Sequence, residues 1–207
     1  SPEDLMTREI LLSDKPDAII NVIDATRFEP SLYLTLQLLE LQIPMVIALN
    51  MIDEVRKNRI EMDLQKLEEL LSIPVVPISA SKNQGIHDLI HAALGVARSK
   101  TAPKKIDFCG GHVHTALHSI AHLVAEDADR CGLPLRYCAS RLVEGDEPTL
   151  AARSLEEPER KIIRHIVRDM EGHLGTDCEA AMADMRYAFI QDLAAKVVHR
   201  QPEATRE

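Results

Sequence analysis

Tryptophan is absent from this chain, and Phe and Tyr number three each. Few flat side chains are left on which nucleic-acid bases could stack. An excess of basic charge is lacking too. The formal net charge is −9, and acidic residues outnumber basic ones in both halves, 15 to 10 over residues 1–100 and 18 to 14 beyond. A field of that sign repels phosphate backbones, so nucleic acid is not an expected partner. No long apolar run is present: the longest, 43–49, falls far short of the roughly 20 residues that cross a bilayer. No signal peptide is visible, and Ser1-Pro2-Glu3-Asp4 reads as an internal helix start, with Ser1 as cap and Pro2 in the first turn. The four cysteines, Cys109, Cys131, Cys138 and Cys178, lie in the second half and form no C-x-x-C pair. That argues against a disulfide framework and fits reduced thiols in the cytoplasm. Glycine is scarce where a phosphate cradle would need it. Residues 1–100 hold only Gly85 and Gly95.

What is present divides the chain in two. With 45% hydrophobic and 28% charged residues over 207 positions, it reads as one large or two small soluble domains. Short β-branched runs at 18–23, 45–49 and 75–78 suit strands buried on both faces of a parallel sheet. Between and after them, 31–41, 63–71 and 85–97 carry apolar residues at helical spacing, as in Leu64, Leu67 and Leu71. The order is a leading helix and three strand–helix units, an α/β architecture. The pattern changes around 100–105, which reads as a linker. Beyond it no strand is expected, and helices are expected near 112–130, 134–144, 156–173 and 177–199. The polar tail 201–207 is expected to fray. The expected domains are thus 1–100 and an all-helical 101–207.

The strongest chemical signal follows the second strand: Asn50-Met51-Ile52-Asp53. A loop at the carboxyl end of such a strand is where doubly wound sheets bind ligands. Asp53 can accept from both the N1–H and the N2 amino group of guanine, while Asn50 can bond N7 and tie neighbouring loops. Adenine lacks that donor pair and would leave the carboxylate unpaired. Ile78-Ser79-Ala80-Ser81-Lys82 follows the next strand at the same edge of the sheet. A small residue there lets a backbone N–H reach guanine O6. Met51 stands where most GTPases carry Lys, and its apolar stem can cover the base as a slab. The candidate nucleotide-binding residues are therefore Asn50, Met51, Asp53, Ser79, Ala80 and Ser81.

The N-M-x-D variant resembles the ferrous iron transport protein B family. Asn21-Val22-Ile23-Asp24-Ala25-Thr26 and Leu32 through Glu40 are similar to the same family, as are Arg136-Tyr137-Cys138-Ala139, Leu142 through Asp146 and Ala183 through Tyr187 in the helical half. The resemblance spans about residues 2–199. It implies part of a P-loop GTPase-type parallel sheet followed by a helical accessory domain. It also implies a GTP- and GDP-binding region, with Mg2+ in the complete domain, on the cytoplasmic face of a bacterial inner membrane. There it would couple nucleotide to Fe2+ uptake through its own C-terminal transmembrane domain, with a homo-oligomer among its assemblies.

One departure stands out. No G-x-x-x-x-G-K-[ST] occurs in the chain, and Gly110-Gly111 lacks the Lys. The family's D-x-P-G turn is expected just upstream of Ser1, and the switch Thr for magnesium is missing as well. The expectation is a chain that keeps the base-reading motifs, holds no ordered nucleotide by itself, and is inactive although its parent is a slow GTPase. The alternative is a nucleotide-free interaction or scaffold module.

No nucleophile–base pair is evident, so no catalytic residue is assigned. Asp24 reads as a turn cap, and Arg136-Tyr137 and Arg186-Tyr187 as helix pins. His114, His118 and His122 recur at four-residue spacing, with Glu126 one step on. Each i, i+4 pair could clasp a metal, but a solvated helix face is the favoured reading of the stripe, and no metal ligand is assigned.

Overall fold

A computed structural model describes residues 2–107, 109–146 and 149–200. The readings of Ser1 as a cap and of 201–207 as a frayed tail lie outside the described residues. The chain divides into two compact units, residues 1–106 with 190–207, and residues 107–189.

The first unit opens with helix α1 (Pro2–Asp14) and then strand β1 (Ile19–Asp24). Helix α2 (Phe28–Leu39) leads to β2 (Met45–Asn50), and β4 (Val75–Pro77) follows helix α4 (Leu64–Leu71). These three strands form one parallel sheet in the order β1-β2-β4. Strand β2 is central, and Val46 through Leu49 are wholly buried, as a two-sided apolar run requires. On one face Val46 and Ala48 pack with Ile78 and Leu89, and helix α5 (Ile86–Ser99) supplies Ile86, Ala92 and Ala93 around them.

Strand β1 departs from the two-sided burial expected of it. Its inward residues Ile19 and Ile23 are buried, but Ile20 and Val22 are 47% and 59% exposed. The reason is positional: β1 is an edge strand, and its second face has no cover among the described residues. Its inner face carries one polar group, Asn21, whose Nδ2 donates to Thr35 Oγ1 of α2 at 2.8 Å. Buried amides keep such partners because an unpaired one costs about 1–3 kcal/mol.

Further elements add to the expected set. Helix α3 (Ile52–Lys57) begins inside what the spacing suggested was a loop. Strand β3 (Ile60–Met62) pairs antiparallel with β5 (Val198–Arg200), with Glu61 opposite His199. So a strand does form beyond residue 105, against expectation. Asp63 caps α4 by accepting from Lys66 N at 2.9 Å, and its own N–H donates to Val197 O at 2.8 Å.

The second unit is helical. It contains α6 (Gly111–Arg130), α7 (Leu135–Val143), the short α8 (Leu150–Ser154), α9 (Glu157–Leu174) and the first part of α10 (Cys178–Val197). Helix α6 buries Val113, Leu117, Ile120 and Val124, the stripe its periodicity calls for. Glu159 Oε2 accepts from Glu156 N at 2.8 Å at the start of α9, and Gly175 ends it in the left-handed region at φ +67°. Arg186 is 1% exposed, and its Nη1 lies 2.6 Å from Glu144 Oε1 just past α7, so it pins α10 to that helix end. Sequence reading gave all of 101–207 to this domain. By contacts, residues from Ile190 group with the first unit, where β5 pairs.

Candidate functional site

The three parallel strands end together at Asp24, Asn50 and Pro77, so the turns that follow share one edge of the sheet. Met51 follows β2 directly and adopts φ +65°, ψ 26°, the left-handed region. A side chain with a Cβ pays about 1–2 kcal/mol there, and such residues concentrate at ligand sites. The kink reverses the chain: Met51 O accepts from Glu54 N and Val55 N, which starts α3, and the Met51 side chain is left 39% exposed at the rim. Asp53 therefore sits in the first turn of a helix and not in an irregular loop.

Two bonds hold the second loop against the first. Asn50 Oδ1 accepts from Ala80 N at 3.1 Å, and Ile52 N donates to Ile78 O at 3.3 Å. The first of these fixes the Asn50 amide. With Oδ1 committed to an N–H donor, Nδ2 is left as the donor, the group that an acceptor such as guanine N7 needs.

Asp53 is half-buried, and its Oδ2 lies 2.6 Å from Lys82 Nζ. Its carboxyl is held below the usual value of 3.8, chiefly by the Lys82 hydrogen bond, with burial opposing and the Ser79 hydroxyl assisting. The group is thus an anion at neutral pH, and Lys82 covers it. The ammonium is an exposed partner that an N–H pair from a ligand can replace at little cost, since a surface pair of this kind contributes little.

The 79–85 turn is locked from within. Ser79 N donates to Gln84 O at 3.1 Å, Gln84 N returns the bond to Ser79 O at 3.0 Å, and Ser79 is buried. Gly85 has φ +77°, and a Cβ there would stand 2.4 Å from Pro77 O. Glycine is required by both conformation and space. Ser79 and Ala80 have given their N–H groups to Gln84 and Asn50. A ligand carbonyl must therefore meet the Ser81 N–H or displace Asn50 from Ala80.

Of the sequence-derived residues, Asn50, Met51, Asp53, Ser79, Ala80 and Ser81 all fall on these two turns. Lys82 and Gly85 were not singled out for the site. Opposite charge in the facing turn was the signal for Lys82, and a lone Gly between a strand and a helix was the signal for Gly85. Asp24 caps its own turn, accepting from Thr26 N at 2.8 Å and Thr26 Oγ1 at 2.7 Å.

Comparison with known proteins places the fold and this edge in context. A family model described as ferrous iron transport protein B matches residues 1–93, and one described as the FeoB cytosolic helical domain matches 110–199. An Fe(2+) transport protein A/Fe(2+) transporter FeoB fusion protein of Porphyromonas gingivalis is 33% identical over 92% of this chain and 24% of its own length. An Fe(2+) transporter FeoB of Salmonella typhimurium is 47% identical over 38% of this chain and 10% of its own. The crystal structure of a point mutant of S. thermophilus NFeoB bound to GDP superposes with a TM-score of 0.84 at 33% identity, covering 96% of this chain and 76% of that one. The chain thus spans about a quarter, or less, of the length of these curated relatives. The class is an α/β G-domain sheet joined to a helical domain. Within that class, the chain belongs to the ferrous iron transport protein B family.

Proposed function

We propose that residues 1–100 carry the base-reading edge of a G domain, followed by an accessory domain over 101–207, in the cytosolic region of a bacterial Fe2+ transporter. Asp53 accepts from guanine N1–H and N2, Asn50 Nδ2 donates to N7, Met51 covers the ring, and Ser79–Ser81 form the floor with an N–H for O6. The observation that carries this reading is the pairing of an anionic Asp53 with an Asn50 whose amide oxygen is already committed to Ala80. The relatives' names and the GDP in the solved neighbour support the same ligand and setting.

The described residues fit the base and not the rest of the nucleotide. The chain has no Gly-rich phosphate loop with its Lys and Ser/Thr, so no residue here is assigned to the phosphates, to Mg2+ or to hydrolysis. Coupling of GTP turnover to Fe2+ passage belongs to the longer parent, with membrane domain and oligomer as its partners.

The test is a change of base preference. In a longer form that includes a phosphate loop, Asp53→Asn should weaken GDP binding and strengthen xanthosine diphosphate binding, each about tenfold or more. An unchanged preference would remove Asp53 from base recognition. The 207-residue chain should bind GDP only weakly by calorimetry, and tight magnesium-dependent binding would overturn that expectation.

A further inference from the structure

In the second unit, a second set of polar groups converges. Asp107 and Cys109 precede α6, and His114 and His118 stand one turn apart on it. One ligand atom from each of the four lies within 4.8 Å of every other. Cys109 Sγ is 3.2 Å from His114 Nδ1 and 2.9 Å from Asp107 Oδ1. Asp107 Oδ2 is 3.6 Å from His114 Nδ1 and 3.8 Å from His118 Nε2. The two imidazoles lie with centroids 4.1 Å apart. Donors bound to one tetrahedral ion at 2.0–2.3 Å stand about 3.3–3.8 Å from each other. The four groups are already near that spacing.

We propose that Asp107, Cys109, His114 and His118 form a binding site for a borderline divalent transition metal such as Zn2+, Co2+ or Fe2+. One thiolate, two imidazoles and one carboxylate are a mixed donor set that suits these ions over Mg2+ or Ca2+. The thiolate and carboxylate together neutralise the 2+ charge. Arg136 Nη1, 3.5 Å from Cys109 Sγ, is placed to donate to the thiolate once the proton has left. A thiol binds metal as the thiolate, so metal binding displaces the Cys109 proton. It also ties the segment before α6 to the first turns of that helix.

The site is distinct from a simple histidine stripe. His122, the third member of the spacing, is not among the converging groups. Cys138, wholly buried on α7, is not among them either. The inference is independent of the nucleotide reading, as no residue is shared.

The experiment is Co2+ titration of the 207-residue chain followed by absorption spectroscopy, with Zn2+ and Fe2+ as competitors. A thiolate-to-cobalt charge-transfer band and intense tetrahedral d–d bands are expected. Cys109→Ser should abolish the charge-transfer band and weaken binding at least tenfold, Asp107→Asn should weaken it, and His122→Gln should change neither band nor affinity. Circular dichroism of each variant shows whether it is folded. If Cys109→Ser unfolds the chain, alkylation of Cys109 in the wild type and its protection by Zn2+ reads out the same ligand. The proposal is overturned by weak octahedral bands without charge transfer, by no protection of Cys109, or by affinity that depends on His122.

Discussion

Two ion-paired carboxylates in this molecule have opposite surroundings. Asp53 in the first unit pairs with Lys82, whose side chain is 46% exposed. Glu144 in the second unit pairs with the wholly buried Arg186 and also accepts from Arg141 Nη1 at 3.1 Å, while Arg141 Nη2 reaches Asp146 at 2.7 Å. Thr149 Oγ1 donates to the same Asp146 oxygen at 2.6 Å. The Glu144 network is closed: Glu144 holds both Arg186 and Arg141, Arg141 also holds Asp146, and exchange with a ligand would strand a buried charge. The Asp53 pair has a partner held by one bond at the rim of the sheet. Similar chemistry thus serves architecture in one place and leaves a group exchangeable in the other. Burial of the cation is what separates them.

The largest effect is expected where that distinction is broken on the closed side. Arg186→Met should destabilise the protein by about 3 kcal/mol, because Glu144 loses its buried partner. Replacing Glu144 with Gln in the same chain should recover part of the loss, as measured by urea denaturation. An equal loss in single and double variants would mean that packing, and not charge, holds α10 to the end of α7.

Next comes the frame of the open side. Gly85→Ala should cost roughly 2–3 kcal/mol, since both the positive φ and the Pro77 carbonyl oppose a Cβ. A thermal melt reads this. Little change would show that the turn relaxes away from β4.

Lys82→Ala should alter stability by less than about 1 kcal/mol, the worth of an exposed pair. In a longer nucleotide-binding form it should not weaken guanine binding, because it removes a competitor for Asp53. A large loss of affinity would make Lys82 a ligand residue.

The smallest effect concerns pH. The Asp53 carboxyl sits lower in the folded state than its ordinary 3.8, so its contribution is fully present above that value and fades as pH falls through the lowered one. Between pH 7 and 5, Asp53→Asn should therefore destabilise by a constant increment, and the increment should shrink only in more acidic solution. An increment that changed near pH 6 would point to a different group.

Much of this was legible from residue order alone. The runs at 18–23, 45–49 and 75–78 and the helical spacings between them announce the sheet, because period and burial are local properties. Asn50, Asp53 and Ser79–Ser81 could be placed at one edge, since parallel strands end on one side. The β3–β5 pair could not be read. Each strand has three residues, and Ile60 meets Arg200 from the far end of the chain, so no local pattern marks it. Helix α3 was hidden because its start depends on Met51 entering the left-handed region, where a non-glycine residue is not expected. The histidine spacing on α6 drew attention to one helix face, whereas the converging donors include Asp107 and Cys109 from the segment before it. Only the fold brings those together.

The open side of β1 carries a consequence for handling the protein. One row of its main-chain N–H and C=O groups has no neighbouring strand among the described residues, beside Ile20 and Val22. Such a border is a template for another extended chain. The 207-residue chain should therefore scatter light increasingly as it is concentrated, and should bind the dye ANS even when folded. A lysine gatekeeper, Val22→Lys, faces outward and disturbs no buried contact. It should raise the concentration at which turbidity sets in, while the circular dichroism spectrum stays as it was.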